Sequence, residues 1–225
     1  MKFKDMPKLP LVLIAAMFAV GAWAYPGLPA RIPTHWGSSG AVDAWSTRSF
    51  LSVFQMPLLA VGLYVLLWLV PYLDPKRGNL IASKQVYSIV IDLVTGLLAV
   101  VYAATLMAAH DAKLPVDRIV TLAVGVMFVV LGKYMGRVKR NWTMGVRYSW
   151  TLSDDTVWAK TNLLGGRLFM AAGVLGIVGV AVPPPWSIVM LVGPALAILP
   201  ITYVYSWRLY RKLHPEEMEP AERGY

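Results

Sequence analysis

The 225-residue chain carries few residues with chemical capacity, and they fall at three places. The first is "RIPTHWGSSGAVDAW", Arg31–Trp45, where His35 and Asp43 flank a glycine-bounded turn. A histidine and a carboxylate brought together could work as an acid–base pair, as two metal ligands, or as a fastener within the loop. His110 and His214 lie elsewhere, so a third ligand is not evident, and a His-Glu-x-x-His helix is excluded because no glutamate precedes Glu216. A metal on His35 and Asp43 is therefore the lesser alternative, and no cofactor is expected. The second place is Asp92 within "VYSIVIDLVTGLL". An ionisable group in hydrocarbon turns to the bundle interior, where it serves either as a proton or cation carrier or as a hydrogen-bonded structural acid. The third is "NWTMGVRYSWTL", in which Asn141, Gly145, Trp150 and Thr151 surround Arg147. Its guanidinium can fork two hydrogen bonds to a carboxylate or to backbone carbonyls. With no cysteine, thiolate metal sites and cysteine nucleophiles are excluded, and no complete catalytic set remains.

The elements that must position these residues are membrane spans. A chain 57% hydrophobic and only 15% charged, with mean hydropathy +0.57, is too oily for a soluble domain of this length. Six apolar runs come near the roughly 20 residues a span requires: Leu9–Tyr25, Phe50–Leu73, Val86–Ala109, Ile119–Gly136, a short Leu168–Val182, and Trp186–Trp207. The expected fold is an all-α helical bundle over 1–213, followed by a disordered tail, 214–225. With the amino terminus inside, 17 of the 21 Lys and Arg residues fall on the cytoplasmic side, leaving Arg31, Arg48, Lys113 and Arg118 outside. This asymmetry predicts a multi-pass protein of the cytoplasmic membrane with both termini cytoplasmic. The net charge of +9 then reflects topology and attraction to anionic lipids, with no direct nucleic-acid binding.

Two connections carry more information than a linker needs. The outer one, 26–49, has Pro26, Pro29 and Pro33, each fixing φ and extending its predecessor. Gly37 and Gly40 permit a turn that folds "VDAW" back, which predicts an ordered cap with Ile32, Trp36 and Trp45 packed beneath it and His35 bonded to Asp43. The inner one, 137–167, contains a helix start at "TLSDD", with Thr151 or Ser153 as N-cap and Asp154 and Asp155 in the first turn. Val157, Trp158, Thr161 and Leu164 then share a face, so a short interfacial helix is expected that turns at Gly165 and Gly166 into the fifth span.

The inner loop, "GKYMGRVKRNWTMGVRYSWTLSDDTVWAKTNLLGGRLFMAAG", resembles the signature of the SdpI family of bacterial membrane proteins. "YPGLPARIPTHWGSSGAVDAW" is similar to the Pro-rich domain of unknown function that precedes the signature in many members. The pattern carries onto Asn141, Gly145, Arg147, Trp150, Thr151, Leu152, Trp158, Lys160, Thr161, Gly166 and Arg167. It departs where an Arg-Thr-Pro-Trp step is replaced by Arg147–Trp150, and where a Thr-His pair becomes Thr161–Asn162. The resemblance implies immunity to an exported peptide toxin met from the extracytoplasmic side. It also implies signalling through a small soluble repressor held at the membrane. Pro33, His35, Asp43 and Trp45 outside, with Asn141, Gly145, Arg147, Trp150, Thr151, Trp158, Thr161 and Arg167 inside, are then the candidate partner-binding residues. The alternative is a membrane enzyme or proton-coupled transporter built on His35, Asp43, Asp92 and Arg147, which requires those groups to meet in one cavity.

Overall fold

A computed structural model describes residues 6–111 and 113–216. The elements run α1 (Leu9–Ala24), β1 (Arg31–Trp36), β2 (Val42–Thr47), α2 (Phe50–Leu73), α3 (Arg77–Ala82), α4 (Lys84–His110), α5 (Val116–Met135), α6 (Ser149–Ser153), α7 (Asp155–Gly179) and α8 (Trp186–Leu213). Five of them, α1 with its 3-10 extension, α2, α4, α7 and α8, are long and apolar enough to cross a membrane. The chain is thus a mostly helical, multi-pass membrane protein. The fourth expected span is occupied by α5, which is helical over 20 residues with Asp117 in its first turn and Lys133 in its last, but is not one of these five.

The all-α expectation is corrected by a two-stranded antiparallel hairpin. The prolines set the extended arm as expected, and the glycines close the turn: Gly40 has φ +78°, and Gly37 N donates to Ala41 O at 2.9 Å. Pro33 offers no N–H to the ladder, and the register shifts between it and His35, then again before Trp36. That irregularity puts consecutive residues, Ile32 and Pro33, on the buried side. Ile32 joins Leu28, Val53, Phe54, Tyr102 and Leu106 in the main core cluster, and Trp36 packs against Ala104, Ala108 and Val116. Trp45, expected underneath, is 42% exposed instead, because β2 is the outer strand and its burial pattern is almost wholly exposed. Arg48 closes the base of the cap, its Nη1 donating to the carbonyl of Leu28 and, at 3.3 Å, to that of Pro26.

A second correction concerns the inner loop. The helix N-cap is Asp154, not Thr151 or Ser153: its Oδ1 accepts from Val157 N at 2.7 Å, and its own φ and ψ are extended. Helix α7 then continues unbroken to Gly179, so the short interfacial helix and the short fifth span are one element. Gly165 and Gly166 do not turn the chain. They let α7 approach α5: a Cβ on Gly166 would lie 2.5 Å from Gly132 O, and one on Gly173 2.5 Å from Gly125 O. Glycines at equivalent heights on both helices bring the backbones into contact, the packing that membrane helices use when burial in water cannot drive association. Trp158 faces the bundle and is 2% exposed. The tail is also revised at its first residue, since His214 Nε2 lies 3.1 Å from Asp154 Oδ2, while 217–225 lie outside the described residues.

Candidate functional site

The loop between α5 and α7 is held by a set of buried polar side chains acting on its backbone. Asn141, wholly buried, accepts from Thr143 N and Met144 N through Oδ1, both at 2.7 Å, and donates from Nδ2 to Lys139 O at 2.7 Å. An amide is suited to this task because it is donor and acceptor at once. Asn162, also wholly buried, accepts from Val146 N at 2.8 Å and donates to Trp158 O at 2.9 Å. Between them the chain passes through Gly145 at φ +104°, where a Cβ would stand 2.5 Å from Asn162 Oδ1. Trp158 Nε1 donates to Val138 O at 2.7 Å.

Further contacts fasten the loop to the other helices. Asp74, just past α2, is 7% exposed; its Oδ2 accepts from Trp142 N at 3.0 Å and from Thr143 Oγ1 at 2.6 Å, while Oδ1 accepts from Lys76 N at 2.7 Å. Asn79 donates to Arg140 O at 2.8 Å, and Lys139 N donates to Ser83 Oγ at 3.0 Å. Thr151 Oγ1 accepts from Tyr148 N at 2.8 Å and so starts α6. On α8, Leu199 O accepts from the Tyr148 hydroxyl at 3.0 Å and Ser206 Oγ from Trp150 Nε1 at 2.7 Å, and Tyr203 stacks edge-on to both rings. Arg140 pairs with Asp155 at 2.6 Å and donates to Leu152 O. Thr161 is fully buried with its hydroxyl unpartnered, and Arg167 is exposed on α7.

Arg147 uses Nη1 on the Trp142 carbonyl, so the loop's own backbone takes one arm of its fork. It also lines a cleft of 510 Å³ formed by α4, α5, α7, α8 and residues 143–148. Asp92 does not line that cleft. It lies on α4 with Oδ1 buried and unpartnered, and His35 and Asp43 are at the opposite end of the bundle. The residues the enzyme or transporter alternative needs are therefore not brought together.

At the hairpin, His35 Nδ1 stands 2.5 Å from Asp43 Oδ1, with the two side chains 68% and 51% exposed. Among the described residues no group of three or more His, Cys, Asp or Glu could hold a metal ion. An exposed pair of this kind contributes about 1 kcal/mol or less. Substituting His35→Ala is expected to lower the melting temperature only slightly, and adding a chelator to leave both proteins unchanged; a stoichiometric zinc lost with His35→Ala would refute the fastener.

Two family matches divide the chain along these structural lines. A domain of unknown function, DUF1648, matches residues 12–61, which covers most of α1, the hairpin and the first half of α2. The SdpI/YfhL protein family matches residues 137–205, from the loop through α7 into α8. Over that segment the chain is similar to the SdpI/YfhL family. It is 23% identical over 206 residues to the immunity protein SdpI of Bacillus subtilis (strain 168), covering 92% of this chain and 96% of that protein. No solved structure matches it.

Within the SdpI/YfhL segment, the two departures noted in the sequence acquire structural roles. Asn162, standing where a histidine is common, is the amide that holds Val146 N, and Tyr148 reaches α8. Sequence reasoning misses Asp74, which lies outside the segment and has no local pattern to mark it, and Arg48, whose sequence context shows only a charge. Asp154, expected in the first turn behind Thr151 or Ser153, is the cap itself. Its carboxyl is held below the ordinary 3.8, first by the Val157 N–H and also by His214, against the opposing effect of burial. A carboxyl depressed in the folded state contributes stability that is complete above 3.8 and disappears as pH falls through the lower folded value. Asp154→Ala should therefore cost about 1 kcal/mol at neutral pH, the usual worth of an N-cap. The gap between the two proteins should close in strong acid, and thermal unfolding followed against pH that showed a constant gap would contradict the capping role.

Proposed function

We propose that this protein is an SdpI-type immunity protein that protects its cell against an exported peptide toxin at the membrane. The observation that carries this reading is the match to the immunity protein SdpI along nearly the whole of both chains, hairpin and loop included. The architecture supports it. A stiff hairpin seated on α4 at one end can meet a ligand without ordering a flexible segment first. The other end presents basic residues on a loop fastened to the end of α2 and to α3, α7 and α8, suited to holding a soluble repressor while toxin is engaged. In this reading α5 completes six spans, shielded by its close packing on α7, and both termini are cytoplasmic. The placement of Arg147, His35 and Asp92 at separate sites favours this over chemistry or transport in one cavity.

Expression in a host killed by a peptide toxin of this class should raise survival, and a hairpin-deleted chain that still inserts should not. Failure to protect across several such toxins would overturn the proposal. A reporter active only outside the cell, fused after Tyr225, is expected to be silent.

A further inference from the structure

The cleft roofed by the loop has an uneven chemistry. Its interior is apolar, with Val90 of α4, Leu131 of α5, Phe169 of α7 and Ile198 of α8 among its walls, and Arg147 stands at its polar end. At 510 Å³ it lies within the roughly 300–1,000 Å³ typical of single-ligand pockets. Its exposed rim joins Leu199, 63% exposed on the candidate span α8, to Gly145 and Arg147 of the loop, so an apolar edge and a cation meet there. The cleft also lies where helices end: Val86, two residues into α4, and Met135, the last of α5, both line it.

Arg147 is the loop cation that lines this cleft. Arg140 is spent on Asp155, and Arg137 lies over the Tyr134 ring at 5.2 Å. Arg147 forms no ion pair among the described residues, is exposed, and has only Nη1 engaged, on a neutral carbonyl. Its remaining donors are free to fork onto an anion beside an apolar slot.

We propose that this cleft binds one acyl chain of an anionic phospholipid from the surrounding leaflet, with the phosphate on Arg147 and the chain between α4 and α8 against Leu131 and Phe169. The charge selects the head group, because a guanidinium forks onto phosphate oxygens. The apolar walls, with Leu199 exposed on a candidate span, favour a bilayer lipid over a solute arriving from water. Bound there, the lipid would join the α4 wall to the α8 wall beneath the loop.

The test uses the full chain, delipidated in neutral detergent, with bound lipid counted by native mass spectrometry during titration. Palmitoyl-oleoyl phosphatidylglycerol should bind at one site and the phosphatidylcholine of the same chains much more weakly. Arg147→Gln should weaken the phosphatidylglycerol roughly ten-fold, the worth of one charge-assisted contact. Arg147→Lys, which keeps the charge without the fork, should fall between Arg147→Gln and the parent, and Arg137→Gln should change nothing. Ile198→Trp, which fills the slot from α8, should remove binding even if Arg147→Gln proves too unstable to purify. Equal binding of the two lipids, no effect of Arg147→Gln or Ile198→Trp, or oleate binding as tightly as phosphatidylglycerol would each overturn the assignment.

Discussion

Replacing Gly166 by alanine is expected to destabilise the protein by about 2–3 kcal/mol, although alanine is intrinsically the better helix former by up to about 1 kcal/mol. The reversal of sign is what makes the experiment informative. Gly166 faces Gly132 across the α5–α7 contact, where a new Cβ would stand 2.5 Å from the Gly132 carbonyl oxygen. That neighbour is helix backbone, in the last turn of α5, and cannot swing aside as a side chain would. The helices must separate, and the reciprocal contacts at Gly125 and Gly173 lengthen with them, since all four glycines lie along one seam. Gly96 of α4 provides the control, because a Cβ there meets nothing within 4 Å, and Gly96→Ala should be neutral or slightly stabilising. Thermal unfolding in detergent would measure both. If Gly166→Ala melted at or above the parent temperature, the close approach of α5 and α7 would be wrong.

Gly165 and Gly166 mark a limit of what is legible in the sequence. Glycine marks either a chain reversal or a place where something comes near, and a pair between an amphipathic stretch and an apolar run fits both. The answer lies in a partner helix some 30 residues earlier, which no local pattern encodes. The hairpin was legible for the opposite reason: Pro33, Gly37, Gly40, His35 and Asp43 act within a stretch of 15 residues, and each restricts its own neighbourhood. The exposure of Trp45 was not legible, because which strand lies outward depends on how the hairpin seats on α4. For Arg147 the sequence leaves carbonyls and a carboxylate open as partners, and one nitrogen of the guanidinium meets a carbonyl. The sequence could not show that the guanidinium also borders a cleft assembled from four helices.

Asp74 lies furthest from what the sequence could reveal, and its removal has the second large effect. It follows α2 directly, 68 residues before Trp142, yet it is the acceptor on which the start of the signature loop rests. Three donors converge on the carboxylate: Lys76 N, Trp142 N and the Thr143 hydroxyl. Asp74→Ala strands all three at a site that is 7% exposed in the parent. At roughly 1–3 kcal/mol for each buried group left unmet, with water entering to recover part of it, a net loss of about 3 kcal/mol is expected. Asp74→Asn should be intermediate, since an amide offers one acceptor oxygen and turns its NH2 toward a donor whichever way it is flipped. The damage should be local before it is global. The loop is fastened by Asn141, Asn162 and Tyr148 as well, so the helices can persist while 139–147 loosens. Trypsin reads this directly, because Lys139, Arg140 and Arg147 lie in the loop. Asp74→Ala should be cut there many times faster than the parent, with the hairpin's Arg31 and Arg48 cleaved no faster than before. Cleavage that accelerates equally at both ends would mean general unfolding, and cleavage unchanged at the loop would mean that Asp74 does not hold it.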